Sequence, residues 1–291
     1  MLATWRYRQR NSIMEKIDPR ARWIFSLLFL VSVTFFWDMR VLAGFLAVAL
    51  LWYFSARARW RETRRAWIFV TTLLVIMVVV NTIITSAASR GILAQSGQHT
   101  VWSIRGRFPL TGWAIHFDLT AERLWFALCQ FVRVISISAV FLIIPYSMDP
   151  RLYGVTFHGL GLPDRLAFSM DLAFRYVPTL ARDFQITLDA QRARGYEIER
   201  VEGGLITQVR RVAPLIVPIT MNSIMTGEDV INAMDLRCFG LQKRTWVATT
   251  IFHWYDYALM GFAVLILVGS IVAVYGFHLG GFWMPPFLIP R

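Results

Sequence analysis

Residues 254–276 read WYDYALMGFAVLILVGSIVAVYG. This apolar run is long enough to cross a bilayer as one helix, which takes roughly twenty residues. The whole chain has the same character, since 56% of its 291 residues are hydrophobic and only 16% are charged. Its mean hydropathy is +0.50. A soluble domain of this size needs far more polar surface, so the composition predicts a membrane protein.

Four further apolar runs precede this one along the chain. They cover residues 22–37, 41–55, 66–87 and 123–147. The first two are short and are joined by Asp38–Arg40, so we expect a tight helical hairpin there. The sequence therefore predicts an all-α membrane protein with about five transmembrane helices. Between the third and fourth runs lies a loop at 88–121, in which residues 101–104 and 113–117 favour a short β-hairpin around 105–112.

The basic residues indicate which way the chain crosses the membrane. The formal net charge is +12, and among the cations only Lys16 and Lys243 are lysines. Arginines are concentrated at 6–22, 57–65 and 151–244, beside apolar segments. The positive-inside rule then predicts a cytoplasmic N-terminus and, after five spans, a C-terminus outside. This clustering is not typical of a groove that follows a phosphate backbone, so we expect no nucleic-acid partner.

Three segments follow from this organisation. Residues 1–147 hold a basic N-terminal tail and the first four spans, with the loop at 88–121 outside. Residues 148–246 form a cytoplasmic segment that is neither a membrane span nor an ordinary soluble domain. Residues 247–291 hold the last span and an outer C-terminal tail. The middle segment is the part of the chain that we expect to meet soluble partners.

Two long amphipathic helices are expected in this cytoplasmic segment, the second of them after Gly203-Gly204. Apolar residues recur at steps of three or four along both, which is the pattern of one apolar helix face. In the first helix they are Leu166, Met170, Phe174, Val177, Leu180, Phe184 and Leu188, and in the second Leu205, Val209, Val212, Ile216, Ile219, Ile224 and Ile231. Pro178, Pro214 and Pro218 should bend these helices. We expect them to lie under the membrane with one face left for a partner; a small cytoplasmic bundle is the simpler alternative.

Each of these helices ends in a similar triplet built around an arginine. The two triplets are Ala193-Arg194-Gly195 and Leu236-Arg237-Cys238. An arginine followed by a small residue is typical of a helix C-terminus, so capping alone explains a single copy. Two copies in one chain favour docking instead, because an arginine that projects from a helix end can bind carboxylates or carbonyls with its forked guanidinium.

The sequence lacks the patterns that most enzymes need. No glycine-rich loop precedes either lysine, so no phosphate-binding P-loop is present. The five histidines are scattered, and Cys129 and Cys238 have no metal-ligand spacing, so we expect no metal and no cofactor. Cys129 lies in an apolar run and Cys238 in the basic cytoplasmic segment, so a disulfide between them would have to bridge the membrane and we expect none. We therefore expect a chain that catalyses no reaction.

One charge falls well inside an apolar run. Arg133 lies within the fourth run, where a charged side chain is expensive and is usually functional or paired. It either ties this span to another span or to the cytoplasmic helices, or it reaches the membrane surface or a backbone carbonyl. The sequence does not identify its partner.

Several short motifs occur along the chain in a fixed order. They are Asp18-Pro19-Arg20 before the first span, YSMDPR at 146–151, Arg175-Tyr176-Val177-Pro178 in the first cytoplasmic helix, and the two arginine triplets. In this order the chain resembles the T-component family of energy-coupling factor (ECF) transporters, which includes the cobalt-transport permease subunits. The resemblance covers nearly the whole chain except the basic tail and the enlarged outer loop. Leu236 and Cys238 depart from the family's usual Ala-Arg-Gly or Ala-Arg-Ser triplet.

The resemblance implies a function and a set of partners. Two ABC ATPase subunits would dock on the cytoplasmic helices, one at Arg194 and the other at Arg237. Their ATP-driven closing would move these coupling helices and rock a separate substrate-binding S subunit in the membrane of a prokaryotic cell. Arg133, Arg175 and Pro178 would have structural or coupling roles. The cargo stays open among vitamins, cobalt and nickel.

Three other functions are compatible with parts of the sequence. An ordinary ABC importer permease has one cytoplasmic loop with a Glu-Ala-Ala-x-x-x-Gly core, which residues 189–195 partly match. Such permeases work in pairs, whereas two arginine triplets in one chain favour a single subunit that serves both ATPases. A membrane enzyme that acts on lipids needs a cluster of catalytic residues. A membrane scaffold without a transport role would have no ATPase partner.

Overall fold

The computed structural model describes residues 12–87, 100–107, 114–195, 205–241, 245–246, 251–277 and 281. In chain order the helices and strands are α1 (Ile13–Lys16), α2 (Pro19–Thr34), α3 (Met39–Ser55), α4 (Trp60–Ala87), β1 (Thr100–Arg107), β2 (Ala114–Thr120), α5 (Ala121–Ser147), a 3₁₀ turn (Pro150–Leu152), α6 (Tyr153–Gly159), α7 (Asp164–Ala193), α8 (Leu205–Leu236) and α9 (Trp254–Tyr275). The predicted all-α class is confirmed, with one small sheet added to it.

That sheet is the predicted β-hairpin. β1 and β2 pair antiparallel, with Ile104 opposite Phe117 in the register. Both strands are longer than predicted, because β1 continues to Arg107, which pairs with Ala114, and β2 continues to Thr120, which pairs with Thr100. Backbone hydrogen bonds form these additional pairs. The prediction was made from the pattern of side chains, which does not indicate where backbone pairing ends.

Helices cover all five predicted apolar runs, but they differ in length. Three candidate spans, Trp60–Val80, Leu124–Ser147 and Trp254–Tyr275, are long and apolar enough to cross a membrane. α2 and α3 have 16 and 17 residues, which is somewhat less than the roughly twenty that a perpendicular helix needs. The chain is a multi-pass membrane protein, and the count of five crossings stays a prediction.

Three helical segments begin with the same aspartate cap. The carboxylate oxygens of Asp18, Asp38 and Asp149 each accept a hydrogen bond from the backbone N–H two residues later, over 2.8–3.0 Å. In the first and third cases a proline follows the aspartate, at the first helical position. Proline suits this position because its missing N–H would have no partner in the first turn. The two Asp-Pro-Arg motifs are therefore helix starts.

The described residues fall into two compact units. One consists of residues from Asp149–Thr250 and contains α6, α7 and α8. The other consists of residues from Tyr7–Met148 and Ile251–Arg291. In this second unit α5 packs against α2, α3 and α4, and α9 packs against α2. Its core contains many aromatic rings, such as the pair Phe25 and Trp52, whose centroids are 4.4 Å apart.

A glycine allows α6 to approach α7 closely in the first unit. A β-carbon added at Gly154 would lie 2.7 Å from the Asp171 β-carbon and 2.9 Å from the Ala167 carbonyl oxygen. Neither atom is the end of a flexible side chain, so the helices would have to move apart. Stacking of Tyr153 on Phe174, with ring centroids 4.7 Å apart, supports the same contact.

We predict that Gly154→Val lowers the stability of this unit by about 1–3 kcal/mol, because the side chain overfills a packed contact. The measurement is thermal unfolding of the purified chain in detergent. The control is Gly227→Ala in α8, where an added β-carbon meets nothing within 4 Å and should stabilise the helix by about 0.5–1 kcal/mol. Equal unfolding temperatures for both variants would contradict the close packing of α6 on α7.

Candidate docking sites at two helix ends

The first arginine triplet closes α7. The Arg194 backbone N–H bonds to the carbonyls of Ala190 and Gln191 at 3.3 and 3.1 Å. Gly195 follows in the left-handed conformation, with φ +78°, and its N–H bonds to the Arg192 carbonyl at 2.9 Å. Arg194 is therefore the helix cap. All three residues of the triplet are exposed.

The second triplet closes α8 in the same way. Arg237 caps the helix, and Cys238 takes the left-handed position with φ +55°. The Cys238 N–H bonds to the Asp235 carbonyl at 2.9 Å, and the Phe239 N–H bonds to the Met234 carbonyl at 3.0 Å. These two bonds form a complete Schellman motif. The triplet is again exposed, and Leu236 has 87% of its surface accessible.

The two triplets are thus equivalent in backbone structure, although their sequences differ. In both, the arginine is the cap and the third residue is left-handed. Glycine adopts this conformation without strain, whereas cysteine carries a β-carbon that disfavours it. Cys238 nevertheless adopts this conformation, so the departure in sequence leaves the geometry of the turn intact.

This equivalence predicts how Cys238 responds to substitution. Cys238→Gly should preserve or tighten the turn, whereas Cys238→Val should loosen it, at a cost of about 1–2 kcal/mol for a branched side chain at positive φ. Hydrogen exchange at the Cys238 and Phe239 amides reports the change, since both donate to the helix end. Faster exchange is expected in the valine variant only. Faster exchange in the glycine variant as well would contradict the assignment.

α7 and α8 run antiparallel, which separates the two arginines. The Gln191 Nε2 lies 3.4 Å from the Pro214 carbonyl oxygen, and the Asn222 Nδ2 lies 3.4 Å from an Asp183 carboxylate oxygen. Near the start of α7, Phe168 packs on Phe239 with ring centroids 4.5 Å apart. Arg237 therefore lies near the start of α7, and Arg194 at its end. The 30 residues of α7 span at most about 45 Å.

Neither arginine forms an ion pair within the part of the chain that the structure describes. By contrast, the neighbouring Arg192 has an Nη1 atom 3.5 Å from an Asp189 carboxylate oxygen. An exposed guanidinium without a carboxylate has its donors available to another molecule. The two helix ends can therefore each offer a fork of N–H donors to a partner.

The other predicted site residues in this unit lie on α7. Arg175 and Pro178 are both exposed. Pro178 lies inside a helix that is continuous from Asp164 to Ala193, although its ring removes one backbone hydrogen bond. The coupling role of these two residues stays a prediction.

A large part of the predicted apolar face of α8 is open. Ile216, Ile224 and Ile231 each expose more than half of their surface. The buried side chain in the described part of α8 is instead Leu215, next to the predicted stripe. The periodicity thus identified the apolar face, but much of this face does not pack within the unit.

We call the unit that contains α2–α5 and α9 the membrane unit. Arg133, in this unit, has its partners at the end of the first apolar run. Its Nη2 donates to the Phe36 carbonyl, and its guanidinium carbon lies 3.9 Å from the Trp37 ring centroid. The Arg133 Nη1 also donates a hydrogen bond to the Gln130 Oε1 at 3.2 Å. Arg133 thus pairs with a backbone carbonyl, which is the second of the two alternatives, and this contact joins α5 to the segment that follows α2. Its structural or coupling role stays a prediction.

Two further buried charges were missed in the sequence. The Arg22 Nη1 donates to the Ser147 carbonyl at 2.9 Å and lies 3.1 Å from the Ser147 hydroxyl. Asp256, in α9, is fully buried and accepts from the backbone N–H groups of Asp18 and His253, both at 2.8 Å. A signal was available for Asp256, because it lies three residues after the cap position His253, as in a capping box.

Within the described residues, no group of three or more His, Cys, Asp or Glu side chains could hold a metal ion. Cys129 and Cys238 are free thiols, the first buried and the second exposed.

Comparison with known proteins identifies the family. The family model of the cobalt transport proteins (CbiQ) matches residues 11–247. The energy-coupling factor transporter transmembrane protein EcfT of Lactobacillus helveticus is 24% identical over 296 residues, covering 94% of this chain and 93% of that protein. EcfT of Thermosediminibacter oceani is 25% identical over 276 residues, covering 90% and 94%.

A third relative is of a different kind. A putative ABC transporter ATP-binding protein of Bifidobacterium longum is 31% identical over 153 residues, which is 50% of this chain but 19% of that protein. The family model and the EcfT relatives, by contrast, each match most of this chain. The chain therefore belongs to the CbiQ cobalt transport protein family, as a transmembrane T component of ECF transporters.

Proposed function

We propose that this T component is the mechanical coupling subunit of an ECF-type importer. It transmits the ATP-driven movement of two ATPase subunits to a separate substrate-binding S subunit, which takes up a vitamin or a transition-metal ion. The observation that supports this proposal is the pair of equivalent, exposed arginine caps at opposite ends of the antiparallel helices α7 and α8.

Each arginine is suited to a groove in one ATPase. A guanidinium presents five N–H donors in a rigid fork that fits carboxylates and carbonyls. Arg194 and Arg237 follow directly after the last residues of their helices. Each side chain can therefore enter a groove while the side of the helix stays outside it. Two such ends up to about 45 Å apart give two ATPases separate points of attachment.

The helix pair is also suited to movement. The contacts between α7 and α8 include two side-chain hydrogen bonds of 3.4 Å, both exposed. Ala167 is the buried side chain of α7, and Leu215 that of α8 within its described side chains. When two ATPases close on ATP, their attachment points approach each other, and a weakly packed pair can respond by sliding. The helices would then act as a lever.

The open apolar face of α8 is the part that we assign to the S subunit. An apolar surface of this kind is typical of a protein or membrane contact, because water does not favour it. The S subunit would bind the cargo, while this chain would bind neither cargo nor ATP and would catalyse no reaction. We place the N-terminus and the coupling helices in the cytoplasm of a prokaryotic cell, from the distribution of arginines.

The relative from Bifidobacterium longum supports an ATPase partnership. A region similar to half of this chain is part of a protein described as an ABC transporter ATP-binding protein. The ordinary permease alternative rests on residues 189–195, and it requires two copies of the chain for two ATPases.

The experiment is co-expression of this chain with the ABC ATPases of its source organism, followed by affinity purification in detergent. The proposal predicts one copy of the chain for every two ATPases. Two copies for two ATPases would favour the ordinary permease. A chain that purifies without any ATPase would overturn the transporter function and favour a scaffold, or an enzyme if turnover is detected.

A further inference from the structure

The corner between α3 and α4 is unusually basic. Its arginines are Arg57, Arg59, Arg61, Arg64 and Arg65, and we call them the arginine corner. All five are exposed, and none forms an ion pair with another described residue. Only one acidic residue, Glu62, lies within this stretch, and there is no lysine.

A buried polar network holds the arginine corner in place. The Tyr53 hydroxyl donates to the Thr63 hydroxyl at 2.8 Å and accepts from the Trp67 indole N–H at 3.1 Å. Tyr53 and Thr63 are buried, and the rings of Tyr53 and Trp67 meet edge to face. Arg57 takes a left-handed conformation, with φ +49°, where α3 ends. The end of α3 is thus fixed to the start of α4, which limits the freedom of the arginines between them.

The arginine corner continues directly into an apolar surface. Arg61 and Arg65 lie on the same face of α4 as Ile68, Ile76 and Val79, given the 3.6-residue repeat of a helix. These three apolar side chains are 56%, 57% and 50% exposed. They belong to a helix that is long and apolar enough to cross a membrane. One exposed face of α4 therefore begins with positively charged side chains and continues with apolar ones.

Aromatic side chains lie at the same level as the arginines. Trp60 is 62% exposed and Phe54 is 69% exposed. Exposed tryptophans next to basic residues at the end of a span are typical of the boundary between headgroups and acyl chains. The arginine corner is therefore expected at the depth of the lipid phosphates.

From this arrangement we propose that the arginine corner binds the headgroups of anionic phospholipids. The forked guanidinium groups hold the lipid phosphate through paired N–H donors, which a lysine does not provide. The acyl chains lie along the apolar face of α4 that begins at Ile68. A free phosphate would use only the arginines, and a soluble acidic protein would leave the apolar face uncovered. An anionic lipid satisfies both parts of the surface.

The test uses the full-length chain in nanodiscs of phosphatidylcholine with a minor fraction of brominated phosphatidylglycerol. Bromine quenches tryptophan fluorescence, so quenching reports how strongly this lipid is enriched around the protein. The wild type should show enrichment. Neutralising arginines to glutamine should reduce it by roughly fivefold for each arginine removed. The variant with all five arginines changed to lysine keeps the charge, and with it the membrane orientation. It should still lose roughly threefold to tenfold, because the paired donors are lost.

Two controls separate this proposal from its alternatives. Arg165→Lys with Arg182→Lys, at exposed positions of α7, should leave the enrichment unchanged. Excess inorganic phosphate should not displace the lipid, whereas displacement would mean a free-anion site and would overturn the proposal. Equal enrichment of the wild type and the five-lysine variant would also overturn it. So would unchanged lipid enrichment in the glutamine variant together with loss of an ATPase partner, because the corner would then bind a protein.

Discussion

Charge reversal at both helix ends, Arg194→Glu with Arg237→Glu, is expected to abolish the capture of ABC ATPases by this chain. Each arginine is exposed at the cap of its helix and forms no ion pair with another described residue. Truncation of a docked, desolvated arginine costs about 2–5 kcal/mol, which is roughly 30-fold to several thousand-fold in affinity. A glutamate adds repulsion from the carboxylates that the arginine would have met. The measurement is the amount of ATPase recovered in affinity purification.

The single variants make this prediction sharper. If each arginine serves one ATPase, then Arg194→Glu alone and Arg237→Glu alone should each recover about half of the ATPase. The matched control is Arg182→Glu, which reverses an equally exposed arginine on the side of α7. It should recover the wild-type amount. Unfolding temperatures should stay close to that of the wild type, since a glutamate near a helix C-terminus costs only about 0.3–1 kcal/mol. Full recovery with the double variant would contradict docking through these arginines.

The second large effect is expected at Asp256 in the membrane unit. Its carboxylate accepts the backbone N–H groups of Asp18 and His253, and it is fully buried. Next to it, the Tyr255 hydroxyl donates to the Lys16 carbonyl at 3.0 Å. These hydrogen bonds thus connect the start of α9 to the segment that leads into α2. Asp256→Ala would leave the buried Asp18 N–H and the partly buried His253 N–H without an acceptor. A buried donor left without an acceptor costs about 1–3 kcal/mol.

We therefore expect Asp256→Ala to lower the stability of the membrane unit by about 2–5 kcal/mol. Asp256→Asn should have a smaller effect, because its one amide oxygen can still accept. Thermal unfolding in detergent measures the loss, and hydrogen exchange at the Asp18 and His253 amides should become faster. The control is Asp229→Ala, an exposed aspartate on α8, which should change little. An alanine variant as stable as the wild type would show that the hydrogen bonds of Asp256 do not stabilise the start of α9.

The helices of both units were largely predictable from the sequence, because they depend on local pattern. Apolar runs predicted the bounds of α2–α5 and α9 to within six residues, and steps of three or four predicted α7 and α8. The start of α7 follows Leu162-Pro163, and α8 begins directly after Gly203-Gly204. The short helices α1 and α6 were missed, because fewer than two full turns give no usable periodicity.

The polar contacts within the membrane unit were not predictable from one sequence. Arg133 was recognised as a charge that needs a partner, but the Phe36 carbonyl and the Trp37 ring are its neighbours only in three dimensions. The same holds for Arg22 with Ser147 and for Asp256 with Asp18, which are 125 and 238 positions apart in the chain. Burial and distance decide such pairs, and a linear pattern contains neither.

The two arginine triplets were predictable in position but not in conformation. Their position at helix ends was predictable from the glycine and from the end of the apolar pattern. That Cys238 would adopt the same left-handed conformation as Gly195 was not, since cysteine favours other conformations. The antiparallel arrangement of α7 and α8, which separates the arginines, depends on contacts such as Asn222 with Asp183.

In the proposed function, one copy of this chain engages two ATPases at once through its two helix ends. The most direct test replaces residue 194 or residue 237, or both, with a photo-crosslinking amino acid in the complex that carries both ATPases. We expect either single position to crosslink one ATPase, and the double replacement to give a covalent species of one chain with two ATPases. If position 237 does not crosslink, or if the double replacement never joins a second ATPase to the same chain, one chain does not engage two ATPases through these helix ends.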